Sequence, residues 1–137
     1  MMDPLLKVEN LRIELSTRAG VAPVIDDLSF ELGHNESISF VGESGCGKSM
    51  TALAIMGLLP EGIGKVAAGK IVFDGEDLTQ ASESRLRDLR GNDISMIFQE
   101  PMTSLNPVYT VGEQIAEVLR EHQKLSKAAA HNAAIEL

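Results

Sequence analysis

Cysteine, positive charge and long apolar runs are all scarce in this chain, and each scarcity excludes something. A single cysteine, Cys46, leaves no partner for an internal disulfide. No apolar stretch approaches the roughly 20 residues that a membrane-spanning helix needs. The opening residues, Met1 to Asn10, place no apolar stretch after a basic region, so no secretory signal is expected and the simplest location is the cytoplasm. A net charge of −8 argues against nucleic acid as the main partner, because phosphate backbones select basic faces. The three histidines, His34, His122 and His131, are scattered without metal-ligand spacing. Asp88, Asp93, Glu76 and Asp77 form no paired acid/base constellation. What remains is an ordinary globular composition, 44% hydrophobic and 23% charged, in 137 residues. That is enough chain for one domain with a core.

Against this background one octapeptide stands out. Gly42, Glu43, Ser44, Gly45, Cys46, Gly47, Lys48 and Ser49 form a complete G-x-x-x-x-G-K-[ST] phosphate-binding loop. At ordinary residue frequencies such a match arises by chance in about one chain in two hundred of this length. Three glycines let the backbone curl so that successive N–H groups form an anion nest. Lys48 is placed to reach the β- and γ-phosphates, and the Ser49 hydroxyl to hold Mg²⁺. Ser37–Val41 reads as a short buried strand leading into the loop. Met50–Leu59 reads as a mostly apolar helix stopped by Pro60. Phosphates would then sit on a helix N-terminus, where free N–H groups and the dipole favour anions. Cys46 is read as a small spacer whose backbone matters more than its thiol.

Elsewhere the periodicity alternates between strand and helix. Leu11, Ile13 and Leu15 alternate with Arg12 and Glu14, and Leu28, Phe30 and Leu32 repeat the pattern. Residues 61–65 read as a flexible connector. Residues 69–75 form a third strand closed by the tight Asp74-Gly75 turn. Ser82 caps a short polar helix over 83–90, ending near Gly91. Ile94–Phe98 is a second buried-strand candidate, with Gln99 at its end. Pro101 and Pro107 make the following stretch an ordered loop. Helical spacing resumes with Val111, Ile115, Val118 and Leu119, and the alanine-rich end from Lys127 favours helix.

The loop, the Met96–Pro101 run and the following Ser104-Leu105-Asn106-Pro107 together resemble the ATP-binding subunit of an ABC transporter. Within that superfamily, Val41–Gly45 and Phe98–Pro107 are similar to the oligopeptide, dipeptide, glutathione and nickel importers. The resemblance implies an α/β P-loop NTPase core with a mainly parallel sheet and an antiparallel β portion from the N-terminal strands. Residues 1–105 would be that core, with Walker A and Q-loop, and 106–137 the start of a helical subdomain. It also implies ATP and Mg²⁺ as ligands. Gln99 would be the Q-loop glutamine, acting with Lys48 in catalysis and with Ser49 on the metal. Glu100–Pro107 would meet membrane-spanning permease subunits, and a second ATP-binding subunit would complete a homo- or heterodimer. The protein would be peripheral, on the cytoplasmic face of the inner membrane.

Three departures qualify the resemblance. Residues 16–29 lack the aromatic on which the family usually stacks adenine, which leaves an aliphatic such as Val21 or another chain. Asn35 stands where the family usually has glycine, a position that asparagine tolerates at positive φ. No Leu-Ser-Gly-Gly-Gln signature, no Asp-Glu strand end and no switch histidine follow. The expectation is the front part of a transport ATPase, binding nucleotide but inactive in hydrolysis by itself. Glu43 and Glu100 are read as loop residues rather than catalytic bases, and Met50, Met56, Met96 and Met102 as core filling. A nucleotide-binding module without catalysis is the first alternative. A soluble ABC ATPase of DNA repair or translation is the second, and a kinase or GTPase sharing only the loop the third.

Overall fold

The computed structural model describes residues 3–100 and 105–137, which fall into two compact units, Met1–Leu86 and Arg87–Leu137. The first unit is built on an antiparallel sheet. Strand β1 (Leu6–Thr17) pairs with β2 (Gly20–Leu32) on one edge and with β3 (Gly64–Phe73) on the other. A two-residue strand, β4 (Glu76–Asp77), closes the order β2-β1-β3-β4. The β3–β4 turn is made by Asp74 and Gly75 at φ 47° and 80°, the paired left-handed conformation that a two-residue hairpin requires. β3 begins at Gly64, so part of the expected connector is strand.

The core lies under β1, where Val8, Leu11 and Ile13 are all at most 1% exposed, together with Ile71 of β3. Val8 and Leu11 are three residues apart, which strict alternation would put on opposite faces. The register shifts between them, and Asn10 sits at φ 47°, so a bulge returns Leu11 to the buried side. β2 repeats the device: Ile25 is buried, Asp27 sits at φ 57°, and Leu28 is next on the half-buried face. The Asn10 amide donates to the Asp27 carboxylate at 2.8 Å, tying the two bulges together. On the other side, Gly69 of β3 (φ 87°) brings its backbone against the carbonyls of Glu9 and Asn10.

Helix α1 (Lys48–Ile55) is shorter than the apolar run suggests. Gly57, at φ 62°, ends it before Pro60 is reached. The Gly57 N–H donates to the Ala54 carbonyl (3.0 Å) and the Leu58 N–H to the Leu53 carbonyl (2.8 Å), the double bond of a Schellman cap. Helix α2 (Glu83–Leu89) starts as expected, with the Ser82 hydroxyl accepting from the Arg85 N–H at 3.2 Å. In the second unit, α3 (Val111–Gln123) is capped by Thr110 and α4 (Lys127–Glu136) by Ser126. The two helices pack together and bury Ala116 and Ala130. Asn35 takes φ 59°, a left-handed conformation that asparagine tolerates.

The parallel part of the expected sheet is not found among the described residues. Neither Ser37–Val41 nor Ile94–Phe98 forms a strand, and the named strands pair only in antiparallel fashion. Among the described residues the parallel pairing is confined to the single bridge Arg90–Ile94. Val41 is 96% and Ile97 95% exposed, the reverse of the burial expected of them. A parallel strand gains hydrogen bonds from neighbours and burial from helices on both faces. These two segments lie in different compact units, with no further parallel strand among the described residues to pair with either.

The bulge column yields a stability contrast. Gly69 and Gly75 both hold positive φ, but a Cβ at Gly69 would lie 2.5 Å from the Asn10 carbonyl oxygen, whereas at Gly75 it would meet open space. Gly75→Ala should cost about 1–2 kcal/mol, the left-handed strain alone. Gly69→Ala should cost clearly more in urea unfolding. Equal losses would contradict the close strand approach.

Candidate phosphate-binding site

The loop begins at Gly42, beyond the turn at Gly33–Asn35 that follows β2, and ends in the first turn of α1. Gly45 and Gly47 hold φ 84° and 95°, conformations that a side chain makes costly. Gly47 is the N-cap of α1, and no side chain caps that end. The first turn also contains no acidic residue. The positive end of the helix is thus left for an anion, with the loop backbone curled in front of it. The two outer glycines are needed for space as well. A Cβ on Gly42 would lie 2.5 Å from the Cys46 sulfur, and one on Gly47 would collide with Ile25 of β2.

Lys48 projects back over this loop. Its ammonium donates to the Gly42 carbonyl at 2.6 Å, to the Glu43 carbonyl at 2.8 Å and to Cys46 Sγ at 3.3 Å. An ammonium has three donors, and these contacts use all of them. The charge therefore sits at the mouth of the loop, held by two neutral carbonyls and a thiol that an anionic phosphate oxygen can replace. Thr51, only 3% exposed, anchors the other side: its N–H and hydroxyl both donate to the Gly47 carbonyl, at 2.9 and 3.1 Å. Ser49 is exposed in the same first turn. Glycines, uncapped helix end, ammonium and hydroxyl together fit a Mg²⁺–triphosphate.

Beside the loop a cleft of about 310 Å³ is walled by Val24, Ile25, Leu28, Phe40 and Val41 and opens onto Lys48. The Phe40 ring meets Phe30 edge to face, with centroids 5.0 Å apart. Gln99 belongs to the second unit, where it is exposed. Of the segment Glu100–Pro107, residues 101–104 lie outside the described residues, as does the reading of Met102 as core filling. Met56 is buried, at 8% exposure, as a core residue should be. Among the described residues no cluster of histidine, cysteine or carboxylate groups is placed to hold a metal. Nor is any helix there long and apolar enough to cross a membrane.

Residues 25–137 match the family model described as ABC transporter. The chain belongs to the ABC transporter family. It is 49% identical over 129 residues to the dipeptide transport ATP-binding protein DppD of Bacillus subtilis (strain 168), covering 94% of this chain and 38% of that one. To the oligopeptide transport ATP-binding protein AppD of the same organism it is 46% identical over 136 residues, 99% of this chain and 42% of that one. It therefore spans about two fifths of the length of these curated relatives. Among solved structures, the dimeric structure of MJ0796, a bacterial ABC transporter cassette, matches with a TM-score of 0.79 at 21% identity. A post-hydrolysis dimer of the same ATP-binding cassette, bound to ADP and Pi, gives 0.77 at 20% identity. Each comparison covers 96% of this chain and 54% of the other. The ABC cassette fold is thereby shown.

The contact between Cys46 and Lys48 escaped the sequence, since both occupy ordinary positions of the motif. It has a chemical consequence. Lys48 hydrogen-bonds the sulfur and holds the thiol pKa below its ordinary value, because the ammonium stabilises the thiolate. Iodoacetamide should therefore modify Cys46 with a pH midpoint below that of a free thiol. In Lys48→Met the midpoint should move upward. An identical midpoint in both proteins would show that the lysine does not act on the sulfur.

Proposed function

We propose that this chain is the leading portion of the ATP-binding subunit of an ABC importer for peptides or similar small solutes. The observation that carries the reading is the Gly42–Ser49 loop, with the Lys48 ammonium over its mouth and the uncapped end of α1 behind it. The names of the most similar relatives, dipeptide and oligopeptide transport ATP-binding proteins, support the choice of solute. In this reading residues 1–105 carry the core and 106–137 begin the helical subdomain.

Each residue has a physical task. The N–H groups of the loop and the first turn of α1 hold phosphate oxygens. Lys48 turns from its carbonyl and thiol partners towards the β- and γ-phosphates. The Ser49 hydroxyl would hold Mg²⁺, which would supply positive charge against the phosphates. As the Q-loop residue, Gln99 would offer Mg²⁺ and water a neutral amide able both to donate and to accept. Glu100–Pro107 meets the permease subunits, and a second ATP-binding subunit completes the dimer on the cytoplasmic face of the membrane. Hydrolysis needs a positioned water and a stabiliser of the transferring charge. The signature and Asp-Glu motifs that supply them in the family are not in this sequence, so binding without hydrolysis is the activity proposed for these 137 residues by themselves.

Lys48→Ala should weaken Mg²⁺–ATP binding by about a hundredfold or more, the loss of charge-assisted bonds to phosphate. Calorimetric titration checks this, with circular dichroism confirming the fold. Ser49→Ala separates ligand contact from loop integrity. It should weaken binding in the presence of Mg²⁺ and leave metal-free ATP binding unchanged. Unaltered affinity in Lys48→Ala would overturn the assignment of the loop.

A further inference from the structure

Resting on the importer reading above, we infer that Gln114 is a positioning residue, setting the shape of the turn that presents Val108 and Tyr109 to the membrane-spanning subunits. Residues 106–109 form a turn in which the Tyr109 N–H donates to the Asn106 carbonyl at 3.3 Å. The Val108 N–H donates to the Asn106 side-chain oxygen at 3.0 Å. Asparagine first and proline second are residues that such a turn favours. Gln114, in the first turn of α3, reaches back to clasp it. Its side-chain oxygen accepts from the Asn106 N–H at 2.9 Å, and its amide nitrogen donates to the carbonyls of Asn106 and Tyr109 at 3.0 and 3.1 Å. Both amide N–H groups are thereby used, and the two ends of the turn are joined.

The helix start does not need these bonds. Thr110 caps α3 with its hydroxyl, which accepts from the Glu113 N–H at 3.2 Å. The turn is exposed, so water would serve its carbonyls almost as well. What the Gln114 amide adds is therefore shape, the selection of one turn geometry among many. The turn so held carries Val108 at 82% and Tyr109 at 59% exposure, and Val111 at 55% follows in the first turn of α3. A loop already fixed in its bound form loses less freedom on association, which raises affinity. Asn106 and Pro107 end the segment proposed to meet the permease, and the apolar tip continues that surface. A tyrosine between valines suits an apolar partner surface rather than a charged one.

Gln114→Met keeps the length of the side chain and removes its donors and acceptor. Tyr109 is the only tyrosine of a chain without tryptophan, so intrinsic fluorescence of the 137-residue protein reports this turn alone. Time-resolved anisotropy should show a larger fast component in Gln114→Met than in the unaltered protein, and an equal one overturns the inference. In the complete subunit, Gln114→Met should weaken association with the purified membrane-spanning subunits at least about tenfold and leave Mg²⁺–ATP affinity within about twofold. Tyr109→Ser should weaken association similarly. The double variant should lose little beyond the larger single loss, because both changes act through one turn. Unchanged association in Gln114→Met, a parallel loss of ATP affinity, or losses that multiply in the double variant each overturn the positioning role and leave the importer reading standing. Self-association that Tyr109→Ser abolishes, with binding to the membrane subunits intact, assigns the face to a second copy and overturns it as well. If the unaltered subunit does not associate with membrane-spanning subunits at all, the importer reading is wrong and this inference falls with it.

Discussion

Gly47 touches three parts of the first unit at once, and their arrangement depends on its lacking a side chain. It caps α1 in the left-handed conformation, while its Cα faces Ile25 and the Val24 carbonyl of β2 so closely that a Cβ has no room. Its carbonyl receives both the N–H and the hydroxyl of Thr51. The loop, the sheet and the helix are therefore registered to one another at a single residue. Moving α1 outward by the width of a methyl group would part the helix end from the sheet and open the Thr51 contacts. The same close approach makes Val24 and Ile25 walls of the cleft beside Lys48.

An acidic protein holding an anion needs the attraction to be local. The net charge of −8 is spread over a chain in which many carboxylates pair with nearby cations, as Glu14 does with Arg12 and Lys65, and Glu76 with Arg85. At physiological ionic strength charges more than about 8 Å apart are largely screened. What a phosphate would meet at the loop is one ammonium, a row of N–H dipoles and an uncapped helix end whose first turn is free of carboxylates. A global charge of this sign thus argues against a nucleic-acid backbone, which needs an extended basic face, but not against a single nucleotide.

The parts legible in the sequence were those fixed by local chemistry. The alternation in β1 and β2, the Asp74-Gly75 turn and the Ser82 and Lys127 helix starts all reflect constraints within a few residues. The phosphate loop was legible for the same reason, as fixed spacing reports a fixed backbone path. The end of α1 was misjudged because Pro60 looked the stronger breaker, while Gly57 had already supplied a cap. Ser37–Val41 and Ile94–Phe98 were misjudged for a different reason. Their apolar residues report what they would bury against, and a five-residue segment with three or four of them cannot say whether its partners are in place. The bulges at Asn10 and Asp27 were missed because each breaks the alternation by one residue and then restores it. At the site, the Lys48–Cys46 contact depends on side-chain rotamers that no spacing encodes.

These observations explain how a loop with unequal supports keeps its shape. Downstream, Gly47 and Thr51 fix it to the sheet and to α1. Upstream, residues 37–41 have no strand partner, and Val41 is almost fully exposed. Phe40 still meets Phe30 of β2, and Lys48 reaches from the helix back to the carbonyls of Gly42 and Glu43 and so closes the loop across its mouth. Two charge-assisted hydrogen bonds do for the entry of the loop what ladder bonds do for a paired strand. The residue best placed to meet a phosphate is thus also the one that holds the phosphate cradle together. A lysine suits both tasks because its three donors lie on a flexible stem that can turn from the loop carbonyls to a phosphate.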